Sequence, residues 1–233
     1  MKREPCYKKV NYNKDTWPPS KWEEHPEYQL EFVRASSTIS DAYKFIFIHI
    51  GRTGGHSMHR GIFEKVIPDV INSPEWDQPI NGDKWKPYFK FTFVRNPWDK
   101  MVSAYHLDHR SWHVQLNTIP KDVSFSHFIK HIAWDENGDP RNTHWVRHYK
   151  FIQNIHNENE KWIDFIGRFE NIEEDWRKVC LAIGINEELP RTNVNSSKPK
   201  KQKGAYKEFY DDETKEIVAE KFKKDIELFG YEF

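Results

Sequence analysis

Cysteine is nearly absent. Cys6 and Cys180 are the only two in 233 residues, too few and too far apart for a disulfide framework. Cys180 falls in an apolar helical pattern and is expected to be a buried thiol. No run approaches the ~20 consecutive apolar residues that span a bilayer. The charged opening MKREPCYKKVNYNKD has no apolar stretch behind it of the kind a secretory leader carries. The expectation is a cytoplasmic chain with reduced thiols and no membrane span. An excess of one charge is lacking too: Lys+Arg and Asp+Glu are each 36. No whole-protein basic field exists for nucleic acid, so any anion site must be local. Twelve histidines form no Cys/His pair at a metal-ligand spacing, which gives no case for a metal. No internal repeat is visible, and the oligomeric state is not legible.

What is present is enough apolar bulk for a real core: 37% hydrophobic residues and 15% aromatic, with 10 Trp, 10 Tyr and 16 Phe. The length fits one domain with a small extension. Residues 1–40 are polar and Pro-containing and read as an extension packed on the domain formed by 41–233. The stretch 43–50 (YKFIFIHI) is apolar on both faces, as in a buried strand of a parallel sheet. A second such strand is 88–94 (YFKFTFV), and a third is 162–169 (WIDFIGRF). Helices are expected over 57–66, from Asn96-Pro97 onward, over 124–133, 144–155 and 171–183, with Gly184 as the stop, and over 212–228. Strands alternating with helices predict a three-layer α/β domain with a largely parallel central sheet.

Two segments carry chemistry. The first strand runs into Gly51-Arg52-Thr53-Gly54-Gly55-His56-Ser57 and then a helix. Strand, Gly-rich loop and helix together aim backbone N–H groups at a phosphate. Arg52 supplies a permanent charge with a planar fork of donors. The same residues also fit an ordinary βα turn. The Walker A pattern is missing, which weakens an ATPase reading. The second strand ends at Arg95, with Ser103 eight residues on. That spacing, slightly over two helical turns, lets an Arg and a hydroxyl converge on a second phosphate. An Arg paired with a carboxylate and a solvent-facing Ser fit as well.

Together these segments resemble the family of sulfotransferases that use 3′-phosphoadenosine 5′-phosphosulfate (PAPS), nearest to the small bacterial and carbohydrate type. Members carry a loop like Pro-Lys-Thr-Gly-Gly-Thr-Ser after the first strand, and Arg-Asn-Pro followed by Ser after a later one. The resemblance extends through FVRNPWDKMVSAY, FIGRFENIEEDW, LPRTNVNSS and the tail from Phe209 to Phe233. It implies a P-loop-like sulfotransferase fold and in-line transfer of a sulfuryl group to an acceptor hydroxyl, with a carbohydrate the favoured acceptor. It implies no metal, and the product adenosine 3′,5′-bisphosphate (PAP). Arg52, Thr53, Gly54, Gly55, His56 and Ser57 would cradle the 5′-phosphosulfate. Arg95 and Ser103 would take the 3′-phosphate. Lys203 and Gly204, in a basic loop before Tyr206, would close over the donor. A solvated linker also fits that lysine cluster.

Two residues depart from the pattern: Arg52 stands where relatives have Lys, and His56 where they have a hydroxyl. The catalytic base is expected after the donor-loop helix, in 68–85, where Asp69, Glu75, Asp77 and Asp83 are available and Glu75 is preferred by position. His144, in a His-Trp pair like that of relatives, is the next candidate, and His148 stands where they have Gln. His106, His109 and His113 read as helix-surface or acceptor-cleft residues. The alternative function is a nucleotide- or phosphate-binding protein of the same fold without transferase activity.

Overall fold

The computed structural model describes residues 37–72, 85–106, 123–138, 140, 143–154, 157–161, 163–190 and 204–233. Its centre is a five-stranded sheet in the order β3-β1-β2-β4-β7. The strands are β1 (Ser37–Ser40), β2 (Phe45–Ile48), β3 (Ile71–Asn72), β4 (Phe89–Val94) and β7 (Phe165–Arg168). A separate hairpin pairs β5 (Gln153–Asn154) with β6 (Asn157–Lys161). Parallel pairing holds at the centre, β2 with β4 and β4 with β7, while β1 and β3 join antiparallel at one edge. The cause is local. Only the turn at 41–44 separates β1 from β2, and so short a connection permits only an antiparallel partner. Residues 37–40, the end of the stretch read as an extension, are thus inside the sheet.

Alternation along the strands builds a layer on each face. Phe45 and Phe47 of β2 and Phe91 and Phe93 of β4 point to one side. There they meet Phe63 of α1, which comprises Gly55–Met58, a π-helical stretch His59–Phe63 and Glu64–Val66. They also meet Trp176 and Val179 of α5 (Ile172–Ile183). Ile46, Ile48 and Val94 point the other way, into a cluster with Trp98, Met101, Phe128, Trp145 and Phe222. That layer is supplied by α2 (Pro97–Tyr105), α3 (Phe125–His127, continued as a π-helix Phe128–Ile132), α4 (Tyr149–Ile152), α6 (Asp212–Lys221) and α7 (Lys223–Phe229). The result is the expected helix–sheet–helix sandwich.

Asn96 caps α2 through its side-chain oxygen with Pro97 in the first turn, and Gly184 ends α5 in the left-handed conformation, both as the sequence predicts. Cys180 is buried, 6% exposed; Cys6 lies outside the described residues. Two helices differ from expectation. The stretch 144–155 is not one helix but a 3₁₀ turn Thr143–Trp145, a break, α4, and then the strand β5. Side chains take over the backbone groups there. Lys100 Nζ donates to Val146 O at 2.6 Å, and Asp225 accepts from the N–H groups of His148 and Tyr149 at 2.7 and 2.8 Å. The C-terminal helix is divided at Phe222 into α6 and α7. Among the described residues, no helix is long and apolar enough to cross a membrane.

Candidate functional site

The register of the central strands brings three loops to one edge. Ile48 lies opposite Thr92, and Val94 opposite Arg168. The loop after β2, the Arg95–Asn96 step after β4 and the Phe169–Asn171 turn after β7 therefore leave the sheet side by side at its carboxyl end. In open α/β sheets that is where ligands bind.

The glycines of the loop after β2 let its backbone pack tightly on its neighbours. A Cβ on Gly55 would stand 2.1 Å from His49 Cδ2, and one on Gly54 would stand 2.5 Å from Ile172 Cδ1. Gly54 is also left-handed, at φ 87. No other residue fits either position without displacing a neighbour. Thr53, fully buried, donates from Oγ1 to Ile50 O at 2.8 Å, and Ser57 N donates to Gly54 O at 3.0 Å to begin α1. Arg52 has φ 68, a conformation that costs a side-chain-bearing residue roughly 1–2 kcal/mol. The strain has an evident partner. Arg52 donates to Ser103 Oγ through Nε at 3.1 Å and Nη2 at 2.8 Å. Arg95 Nη1 donates to the Arg52 carbonyl at 3.0 Å.

Arg95 is further fixed by Asp99, at 2.8 Å from Nε, and by the Phe169 ring, 4.0 Å from its guanidinium carbon. Arg52, Arg95 and Ser103, from two separate motifs, thus form one connected group. Charge within it is uneven. Asp99 offsets Arg95, while the contacts of Arg52 are a hydroxyl and a second guanidinium. Burial and then the Arg95 charge bring its pKa down from 12.5 to about 10. It stays charged at neutral pH. A cation so placed gains from an arriving anion.

His56 lies in the first turn of α1, and its pKa is lowered by burial, then by Arg60 and His59. His144 lies on the other side of the loop, where its Cα would be 2.9 Å from a Cβ on Gly51. Gly204, at φ 86, caps the 3₁₀ turn Ala205–Phe209. Tyr206 of that turn approaches the group from the tail: its hydroxyl accepts from Asn96 Nδ2 at 3.3 Å. Glu75 and Lys203 lie outside the described residues.

The Arg95–Asp99 pair is the carboxylate partner that the sequence also allowed for Arg95, at an i, i+4 spacing. Other neighbours were not legible: Phe169 reaches Arg95 only by tertiary packing. Glu170 Oε1 accepts from Asn96 N at 2.5 Å. His49, at the end of β2, packs beneath Gly55. Its pKa is pushed down to about 4 by loss of hydration first, then by His59, His144 and His56. A concavity of about 550 Å³ lies elsewhere, lined by Trp98, Glu213, Glu216, Glu220, Lys223 and Glu227. Its carboxylates would repel a bisphosphate, so the loop beside Arg52 and Arg95 is the better anion site. No cluster of His, Cys, Asp and Glu suited to a metal ion occurs among the described residues.

A Gly-rich loop, a guanidinium pair and a serine meet at the carboxyl edge of the parallel strands. The profile of the sulfotransferase family matches residues 35–232, and the chain belongs to that family. Comparisons with curated proteins and with solved structures returned no match.

Proposed function

We propose that this chain transfers a sulfuryl group from PAPS to an acceptor hydroxyl, with a P-loop-like donor site. The observation that carries the reading is the joining of Arg52, Arg95 and Ser103 by hydrogen bonds at the carboxyl ends of β2 and β4. The residues fit a bisphosphorylated nucleotide. Gly54 and Gly55 let the loop backbone pack directly on Ile172 and His49, and Arg52 keeps its positive charge with the Ser103 hydroxyl as its acceptor. PAPS supplies the activated sulfuryl group and a phosphate leaving group.

The protein's part is placement and charge. The amides of Gly54, Gly55 and His56, with the side chains of the Thr53–Ser57 segment, hold the 5′ end at the start of α1. Arg95, fixed by Asp99 and Phe169, and Ser103 take the 3′-phosphate, the feature that separates this donor from ATP. Arg52 stands between the two subsites and offers positive charge to the oxygen on which charge develops. A base takes the acceptor proton. Glu75 is the first choice by sequence position, and His144, against Gly51, is the second. Lys203 and Gly204 close the donor side. The acceptor is a carbohydrate hydroxyl, and the reaction takes place in the cytoplasm.

The test is sulfate transfer from PAPS across a panel of glycans and phenols. Turnover on a glycan is the expected result. Glu75→Gln should lower turnover on alcohols more than on an acidic nitrophenol, which needs little help from a base. PAP binding without transfer to any acceptor would favour a binding protein of the same fold.

A further inference from the structure

A chain of ionisable groups is sealed in the interior beside the site. Lys100, His148 and Asp225 are each 0% exposed, and each comes from a different segment: α2, the break before α4, and α7. Lys100 Nζ donates to Val146 O at 2.6 Å and stands 3.4 Å from His148 Nε2. On the far side of the ring, Nδ1 lies 3.0 Å from Asp225 Oδ2. The contacts dictate the tautomer. Nδ1 carries the proton and donates to the carboxylate, and Nε2 accepts from the ammonium. A neutral imidazole thus separates a buried cation from a buried anion, and every polar end is met.

The placement matters more than the bonds. Lys100 is one helical turn before Ser103 on α2. Val146 and His148 follow His144, whose backbone lies against Gly51. One buried ammonium therefore joins the helix carrying Ser103 to the segment on which the loop rests. We propose that Lys100, held through His148 by Asp225, is a positioning residue for the donor site, clamping α2 to the His144 segment and so setting the wall behind the 51–57 loop. The proposal rests on the donor reading above.

The arrangement also couples the site to protons. Burial first lowers the Lys100 pKa from 10.5 to about 7; Asp225 raises it, and Arg95 and Arg52 lower it. Burial, then the Lys100 charge, holds His148 neutral, at about 4. Burial alone would raise Asp225, but His148 and the backbone N–H groups outweigh it and the net shift is downward. Of the other elements against α2, α6 presents Lys215, which sits over the Phe233 ring at 4.9 Å, and the 3₁₀ turn presents Lys207, bonded to Phe233 O at 2.9 Å. An anion that neutralises Arg52 and Arg95 lets Lys100 keep its proton more easily. Binding then takes up a proton near neutrality, so affinity falls as pH rises.

The experiment is PAP calorimetry at pH 7 and pH 9 on the wild type, Lys100→Met, His148→Leu and His148→Gln, each checked for a cooperative melt. The wild type should lose about fivefold in affinity between the two pH values. Lys100→Met and His148→Leu should bind about tenfold more weakly at pH 7, and Lys100→Met should lose the pH dependence. His148→Gln should retain most of the affinity, because an amide keeps one donor and one acceptor. If Lys100→Met does not fold, the His148 pair decides. Wild-type affinity and pH dependence in every apolar variant that folds would overturn this proposal alone. A wild-type chain that binds no PAP at either pH would overturn the donor reading, and this proposal with it.

Discussion

Arg52 combines a left-handed backbone, a second guanidinium for a neighbour and a serine as the target of its fork. Arg at this position keeps the charge of the lysine found in relatives but adds the planar two-point contact with Ser103. Replacing it by Ala should lower kcat by roughly 10²–10³, with a smaller change in donor affinity, because its charge matters most where charge grows. A rapid-quench measurement of PAPS turnover reads this. A loss of donor affinity with kcat unchanged would instead make Arg52 a simple binding residue. Arg95 has a different role. Its side chain is only 12% exposed and braced on three sides. Arg95→Ala should cost PAP binding on the order of 2–4 kcal/mol. A nucleotide lacking the 3′-phosphate should scarcely notice. Equal losses for both ligands would remove the 3′-phosphate from its assigned partner.

At the scale of elements, the strand–loop–helix unit depends on how closely His49 and Gly55 approach. Gly55→Ala puts a methyl group 2.1 Å from the His49 ring, and should lower stability by about 1–3 kcal/mol. His49→Ala in the same chain should recover part of that loss, since the clash needs both side chains. Chemical denaturation of the two single variants and the double measures the coupling; additive losses would place the strain elsewhere. This unit, the cap at Asn96 and the stop at Gly184 were legible because each is local: a Gly pair after an apolar strand, Asn-Pro before a helix, a Gly after one. The break in 144–155 was not legible. It is made by Lys100 and Asp225, which are 46 and 77 residues from their partners, and no local propensity announces a distant side chain that claims a backbone carbonyl or N–H group. The antiparallel edge was missed because β1 (STIS) lacks the long apolar run of its neighbours.

For the whole molecule, two imidazoles with depressed pKa values set the response to acid. His148 and His49 both have pKa values lowered from 6.5 to about 4. The unfolded chain therefore binds protons that the folded one refuses between those values. Their contribution to stability is complete above pH 6.5 and is lost as pH falls toward 4. Lys100 adds a second window with the same sign: stability rises between about 7 and 10.5 as the unfolded lysine gives up its proton. Melting temperature should fall steadily from pH 7 to pH 4, and His148→Gln should flatten part of that fall. A melt indifferent to pH across this range would mean that neither ring resists protonation in the folded chain.

On the proposed function, the joined Arg52, Arg95 and Ser103 group serves a donor with phosphate at both the 3′ and 5′ positions. Thermal shift with PAP, ADP and ATP at equal concentration tests it most directly. At one hundred times its dissociation constant, PAP should add about 2.7 kcal/mol to the stability of the fold, and Arg95→Ala should abolish most of that gain. ADP and ATP should shift the melt far less. A larger shift with ATP than with PAP, or equal shifts that survive Arg95→Ala, would contradict the account.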